Sequence, residues 1–346
     1  MLIRSHTASP SSVPSLEPLA HGGELAAARR LFPGAPEPFI DLSTGINPHP
    51  YPLPALTNDI FARLPDRASV RELAAIAAQA YGAPSPDHVA PAPGTQILLP
   101  HVAALVAPGH AAILRTTYAE HARAAVLAGH QVAEVSEPGQ LRQADLAVVV
   151  SPNNPDGRTV DRTTLLGVAD ELRQHGGILV VDESFADVAT PDISLAGNLE
   201  RDNIVVLRSF GKFYGLAGLR LGFALATPRL INRIEAVLGP WAVAGPAIEI
   251  GRTALADDGW RRRTLDRLAA DAKRLDRLLV DAGLAVIGGT SLYRLTQSPD
   301  TGELFNRLGR AGVLVRRFAE QPDWLRWGLP GDEHAWQRLA DALAGR

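Results

Sequence analysis

The chain contains no cysteine, which excludes disulfides, thiolate catalysis and cysteine-held metals. It is nearly as poor in lysine: Lys212 and Lys273 are the only two, and arginine supplies almost all of the positive charge. Apolar residues make up 46% of the chain, yet no run is long enough to span a bilayer. Residues 1–18 are rich in serine and proline and hold no apolar signal core, so a cytoplasmic protein is expected. The formal net charge of -3 gives no basic surplus, which argues against nucleic acid or an anionic membrane as a partner. At 346 residues the chain can bury a large core and is expected to form two lobes.

What is present alternates. A helical apolar period runs over Val70 to Tyr81, with Ser69 and Glu72 placed as a capping box. A helix is expected over Ile97 to Val106, then strand Ala111 to Arg115, helix His121 to Ala128 and strand Gln131 to Val135. Leu146 to Val150 is a continuous apolar run, as in a parallel strand covered on both faces. Helix Thr163 to Gln174 and strands Ile178 to Val181, Ile204 to Leu207 and Gly222 to Ala226 follow. This rhythm predicts an α/β unit with a mostly parallel sheet. Beyond Pro228 it changes to arginine-rich helices (Arg229 to Leu238, Trp260 to Ala282), short strands (Ala285 to Ile287, Ser291 to Leu295, Val313 to Arg316) and a last helix, Glu333 to Leu343. That end reads as a smaller α+β unit. The expected division is residues 1–44 as a segment joining the small unit, 45–240 as the large unit and 241–346 as the small one.

Ligands of such sheets bind at the strand ends, and four segments fall there. The most informative runs from Ser209 to Gly222. It sets Lys212 among small residues, with Ser209 three before it and Arg220 eight after. An amine that attacks an aldehyde must be neutral, so it needs a pocket that lowers its pKa, while the serine and the arginine can hold a phosphate. This points to pyridoxal phosphate held covalently on Lys212. A lone lysine in a glycine-rich loop is commonly just a surface residue; here the neighbours favour the cofactor. Gly94, Thr95 and Gln96 open a helix, where free N–H groups suit a phosphate. Ser151 to Gly157 follows an apolar strand and contains Asn154; it is equally an ordinary turn. Asp182 stands directly after Val181, where a carboxylate can pair with a protonated ring nitrogen or simply cap a turn.

These segments resemble those of fold-type I pyridoxal-phosphate enzymes of the class I/II aminotransferase superfamily. The likeness covers nearly the whole chain, from His21-Gly22-Gly23 to the final helix. It is closest to the histidinol-phosphate aminotransferase branch and, within it, to the L-threonine-O-3-phosphate decarboxylases, through Asp41 to Pro48, Thr117 to His121, Asp182 to Phe185 and Leu207 to Tyr214. The resemblance implies the PLP-dependent transferase fold and a homodimer with a small phosphorylated amino-acid substrate. It gives Lys212 the cofactor aldehyde, Asp182 the pyridine nitrogen, Asn154 the ring hydroxyl and Tyr118 the ring face. The cofactor phosphate would fall to Gly94, Thr95, Gln96, Ser209 and Arg220. Arg326 would grip the substrate carboxylate, while Arg316 is either a second cation for a substrate phosphate or, like Arg317, a solvated strand end. His21 and Asn47 would line the substrate pocket.

Two positions depart from relatives: Phe185 stands where a tyrosine is frequent, and Leu64 where a tyrosine reaches the neighbouring subunit's cofactor phosphate. The implied reaction is decarboxylation of O-phospho-L-threonine, with transamination of histidinol phosphate or a related amino acid as the alternative. Whichever Cα bond stands perpendicular to the cofactor plane breaks, and no motif states that angle. Two non-enzyme readings are a transcription regulator, disfavoured because no basic helix-turn-helix precedes His21, and a dead scaffold, disfavoured because Lys212 and Asp182 are both present.

Overall fold

The computed structural model describes residues 21–345; residues 1–20, which include the whole Ser/Pro-rich lead, lie outside them. Seven strands form the larger sheet: β2 (Val89–Ala92), β3 (His110–Leu114), β4 (Gln131–Val135), β5 (Leu146–Val150), β6 (Ile178–Asp182), β7 (Ile204–Ser209) and β8 (Gly222–Leu225). Their spatial order is β2-β8-β7-β6-β5-β3-β4, and only β8 runs against its neighbours. The ends of β2, β3, β5, β6 and β7 and the start of β8 therefore share one edge.

The continuous apolar runs have a physical reason. Along β5, β6 and β7 alternate residues enter two different cores. Ala147, Val149, Leu179, Val181 and Val206 face one, and Leu146, Val148, Ile178, Val180, Val205 and Leu207 face the other. Each such valine or leucine contributes about 1.5–3 kcal/mol on burial, so the two-faced sheet is the rigid part of the molecule. Helices Thr95–Ala103, Glu120–Leu127 and Arg162–Arg173 connect these strands.

The smaller sheet has five strands in the order β1-β11-β12-β10-β9, namely β1 (Ile40–Leu42), β9 (Ala285–Thr290), β10 (Tyr293–Gln297), β11 (Val313–Arg317) and β12 (Trp324–Gly328). β1 pairs with β11 in parallel; the other neighbours are antiparallel. Helices Asp258–Asp281, Thr301–Arg310 and Glu333–Leu343 accompany it. The sheets meet where the turn after β5 touches β9 and β10: Gly289 donates its N–H to the Asp156 carbonyl at 2.7 Å, and Tyr293 Oη donates to the Asn153 carbonyl at 2.5 Å.

Several expected boundaries shift. The helix through Val70 begins at Arg67 and is capped by Asp66, which accepts from the Ser69 N–H at 2.7 Å, so Ser69 lies inside the helix. The helix after Gly94 starts at Thr95, not Ile97. Strand β2 contains Pro91, which fits because β2 is an edge strand with one side unpaired.

Candidate active site

Register places the four segments side by side. Val150 pairs with Asp182, Asp182 with Leu207, and both Ser209 and Ala92 with Gly222. Asn154, Lys212, Gly94 and Arg220 each lie a few residues beyond these paired ends.

Asp182 is 5% exposed. Its Oδ1 accepts from the Ser184 N–H at 2.9 Å and the Ser184 hydroxyl at 2.5 Å; its Oδ2 lies 2.9 Å from His121 Nε2. Burial alone would raise its pKa, but the His121 and Ser184 bonds prevail and hold it below the ordinary value. One oxygen thus caps the turn and the other is a fixed anion paired with a histidine. A buried carboxylate kept ionised suits a protonated ring nitrogen.

Lys212 sits in the four-residue helix Phe210–Phe213, with Nζ 5.9 Å from the centre of the Phe185 ring. Burial above all, then Arg326 and Arg220 against the opposing Asp182, lower its pKa to about 8. The amine is therefore much closer to neutral at physiological pH than an ordinary lysine, as an attack on an aldehyde demands.

The phosphate cradle is built by close backbone approach. Gly94 has φ +87°, and a Cβ there would lie 2.7 Å from Arg220 Nη2, so the guanidinium rests against the bare glycine. A Cβ on Gly222 would lie 2.6 Å from the Thr95 nitrogen. Ser209, 8% exposed, ends β7 alongside. Arg220 takes a positive φ of 56° and is steadied by its Nη1 donating to the Ala217 carbonyl at 3.0 Å. A helix start, a serine and a guanidinium thus converge, and this set fits the phosphate of pyridoxal phosphate.

Tyr118 donates its hydroxyl to Gln96 Oε1 at 3.0 Å, and Gln96 Nε2 donates to Glu120 Oε2 at 2.9 Å. The Gln96 side chain therefore steadies Tyr118, which leaves its backbone N–H as its means of binding a phosphate. Burial, then Glu120 and Asp182, push the Tyr118 phenol up to about 12, so it stays neutral. Glu120 is 4% exposed and also lies 3.1 Å from His21 Nε2, fixing that ring near Tyr118 with centroids 5.9 Å apart.

Arg326 and Arg316 face each other across β11 and β12 as directly paired residues. Arg326 is buried; its Nη2 donates to the Ser43 carbonyl at 2.7 Å and its Nη1 to Asn154 Oδ1. Its Nε has no partner among the described residues. Burial first, with Arg316 adding and Tyr293 opposing, lowers its pKa to about 10. Two cations side by side, one with an unmet buried donor, form a site for anions.

Asn47 departs from its expected place in the pocket. Its Nδ2 donates to the Phe213 carbonyl at 2.8 Å and its Oδ1 accepts from the His49 N–H at 2.9 Å, so the amide is spent on the lysine segment and on its own loop. The turn reading of Ser151 to Gly157 holds for Asn153, whose Nδ2 donates to Thr116 O and Asp156 Oδ1 and whose Oδ1 accepts from Thr117, while Asn154 faces Arg326. His121, Glu120 and Ser43 were given no role from sequence. For the first two the one signal was their nearness to Tyr118. Among the described residues no group of acidic or histidine side chains is arranged to hold a metal, and no helix is long and apolar enough to cross a membrane.

Comparison with known proteins follows the same lines. The family model for aminotransferase class I and II matches residues 39–343. A threonine-phosphate decarboxylase from a Sinorhizobium species is 43% identical over 334 residues, covering 94% of this chain and 98% of that protein. Another, from Pseudomonas aeruginosa, is 42% identical over 330 residues, with the same coverage. Among solved structures, the histidinol-phosphate aminotransferase of Sinorhizobium meliloti in complex with pyridoxal-5'-phosphate superposes with a TM-score of 0.82, covering 98% of each chain at 20% identity; this likeness concerns the fold.

Proposed function

Because the chain belongs to the aminotransferase class I and II family, we propose that it holds pyridoxal 5'-phosphate on Lys212 and decarboxylates O-phospho-L-threonine to (R)-1-aminopropan-2-yl phosphate, a step of cobalamin biosynthesis. The arginine pair carries the reading. O-phospho-L-threonine bears a carboxylate and a phosphate, and Arg326 and Arg316 supply one cation for each across a single β-ladder. The unmet Arg326 Nε is the donor that a bound carboxylate would satisfy. The match to two threonine-phosphate decarboxylases over almost the whole chain supports the same substrate.

When bound, pyridoxal phosphate supplies an electron-accepting ring for the electron pair left on the substrate Cα as CO₂ departs. The chain's residues do the rest. Asp182, kept ionised by His121 and Ser184, holds a proton on the ring nitrogen. Ser209, Arg220 and the N–H groups after Gly94 would anchor the cofactor's phosphate, Tyr118 would cover its ring face and Asn154 would meet its ring hydroxyl. Arg326 orients the carboxylate so that the bond to it is the one that breaks. Lys212, with its pKa near 8, delivers the proton that replaces CO₂ on Cα. His21, held by Glu120, stands at the edge of this pocket.

The reading takes residues 45–240 as the cofactor-binding unit, 241–346 as the substrate-gripping unit and 1–44 as the segment joining the latter, supported by the pairing of β1 with β11. It includes a cytoplasmic homodimer. Ile97, 41% exposed in the first turn of helix Thr95–Ala103, and the exposed Phe61, Leu64 and Trp241 are apolar surface suited to a second copy. Product analysis tests the function: cofactor-loaded protein given O-phospho-L-threonine without an oxo-acid should release CO₂ and an equal amount of aminopropanol phosphate. Amino-group transfer that needs 2-oxoglutarate, with no CO₂, would replace decarboxylation by transamination.

A further inference from the structure

The lysine segment is held along one side by a strap. Helix Phe210–Phe213 is one turn long; its own continuation supplies the Lys212 carbonyl with the Tyr214 N–H and, at 3.3 Å, the Gly215 N–H, and the next carbonyls look elsewhere. Residues 47–51 take three in succession: the Lys212 carbonyl accepts from the Asn47 N–H at 3.0 Å, the Phe213 carbonyl from Asn47 Nδ2 at 2.8 Å, and the Tyr214 carbonyl from the Tyr51 N–H at 2.9 Å. Asn47 supplies two of these bonds and the only one from a side chain. The His49 N–H donating to Asn47 Oδ1 at 2.9 Å fixes the amide orientation, because the nitrogen must then face Phe213. Strap and loop touch backbone to backbone: a Cβ on Gly215 would lie 2.7 Å from both Asn47 O and Pro50 Cα. The strap is braced from behind, with His49 Nε2 3.3 Å from Asp271 and Tyr51 Oη donating to Asp257 at 3.3 Å.

We propose that Asn47 is a positioning residue for Lys212: its amide closes the carbonyl end of the lysine-bearing turn, so that the backbone stays fixed while the side chain alone moves Nζ. This rests on the reading of Lys212 as the cofactor lysine. Without the amide, the Phe213 carbonyl is left buried and unmet, and the simplest relief is rotation of residues 212–214 toward water. That rotation would carry Nζ out of its setting between Arg326, Arg220 and Asp182, the charged groups that face it.

The composition of the chain supplies the test. With only two lysines, Lys273 is an exposed internal reference for Lys212. Cofactor-free protein is labelled with a trace of acetic anhydride from neutral to alkaline pH, and the two lysine peptides are compared by mass spectrometry. In the parent protein Lys212 should reach half-maximal reactivity near pH 8. Asn47→Ala should move that midpoint upward by about one unit toward the ordinary lysine value, and in loaded enzyme lower kcat about tenfold or more with a smaller change in KM. Asn47→Asp keeps the acceptor for His49 but turns a carboxylate toward the Phe213 carbonyl; nearly isosteric, it guards against misfolding of the alanine variant and should shift the midpoint the same way. An unchanged midpoint with lowered thermal stability would reduce Asn47 to a structural residue. A raised KM with midpoint and kcat intact would return it to the substrate pocket. Borohydride trapping of the loaded parent elsewhere than on Lys212 would overturn the underlying reading instead.

Discussion

The two sheets divide the work by how rigidly they hold their side chains. In the larger sheet, β5 and β6 are buried along their whole length and face a core on each side; Asp182 ends one of them, and Lys212 follows the equally buried β7. The smaller sheet is antiparallel apart from β1, carries a register shift between Leu295 and Thr296, and presents Arg326 and Arg316 from adjacent strands. The first sheet offers one fixed anion and one amine of lowered pKa; the second offers two cations. The proposed function thus assigns cofactor chemistry to the sheet buried on both faces and substrate recognition to the other.

Substitutions can break this comparison. Lys212→Ala should have the largest effect, lowering turnover by at least about a thousandfold, while Ser209 and Arg220 retain some cofactor, measurable by equilibrium dialysis. Asp182→Asn should follow, at about a hundredfold in kcat, the scale of losing one preorganised charge. In steady-state kinetics that loss should fall on kcat for every amino-acid substrate alike. Arg326→Ala should in addition raise KM by about tenfold to a hundredfold, as expected for one buried charge-assisted contact, alongside the kcat lost with the carboxylate's orientation. If Arg326→Ala lowered kcat alone, or Asp182→Asn raised KM alone, the division between the sheets would fail.

The smallest effect concerns stability. Lys212 has its pKa lowered by burial from an ordinary 10.5 to about 8. Between these values the unfolded chain binds more protons than the folded one, so this group's contribution to stability rises with pH across that window, and below it the full cost of the buried charge remains. Cofactor-free Lys212→Met should therefore melt above the parent at neutral pH, with the gap closing as pH rises through and beyond 8. Thermal scans at a series of pH values would check this. A gap independent of pH would mean that Lys212 is not held as a buried cation.

The same contrast explains what could be read from sequence. The strands of the larger sheet announce themselves as Leu146-Ala147-Val148-Val149-Val150 and Ile178-Leu179-Val180-Val181 because two-sided burial demands apolar residues at every position. Asp182 and Lys212 stood out as candidates because Asp182 closes one such run and Lys212 comes three residues after the end of another buried strand, β7. The smaller sheet was harder. β1 has only three residues, and β12 holds Arg326 among tryptophans and glycine, so neither shows a period. β2 was obscured by Pro91, and helix Gly245–Leu255 by its opening Gly-Pro. Contacts between distant positions leave no local trace: His121 meets Asp182 across 61 residues, and Asn47 meets Phe213 across 166. For Asn47, its place near the site was readable and the direction of its amide, toward the Phe213 carbonyl, was not.

The most direct test of the central claim, that the bond broken at Cα is the one to the carboxylate, is to run the reaction on O-phospho-L-threonine in deuterated water and follow the Cα hydrogen by NMR. The account predicts an aminopropanol phosphate that keeps the original Cα hydrogen and gains one solvent deuterium beside it, formed together with CO₂. Loss of the original hydrogen to solvent, with the carboxylate retained, would contradict it.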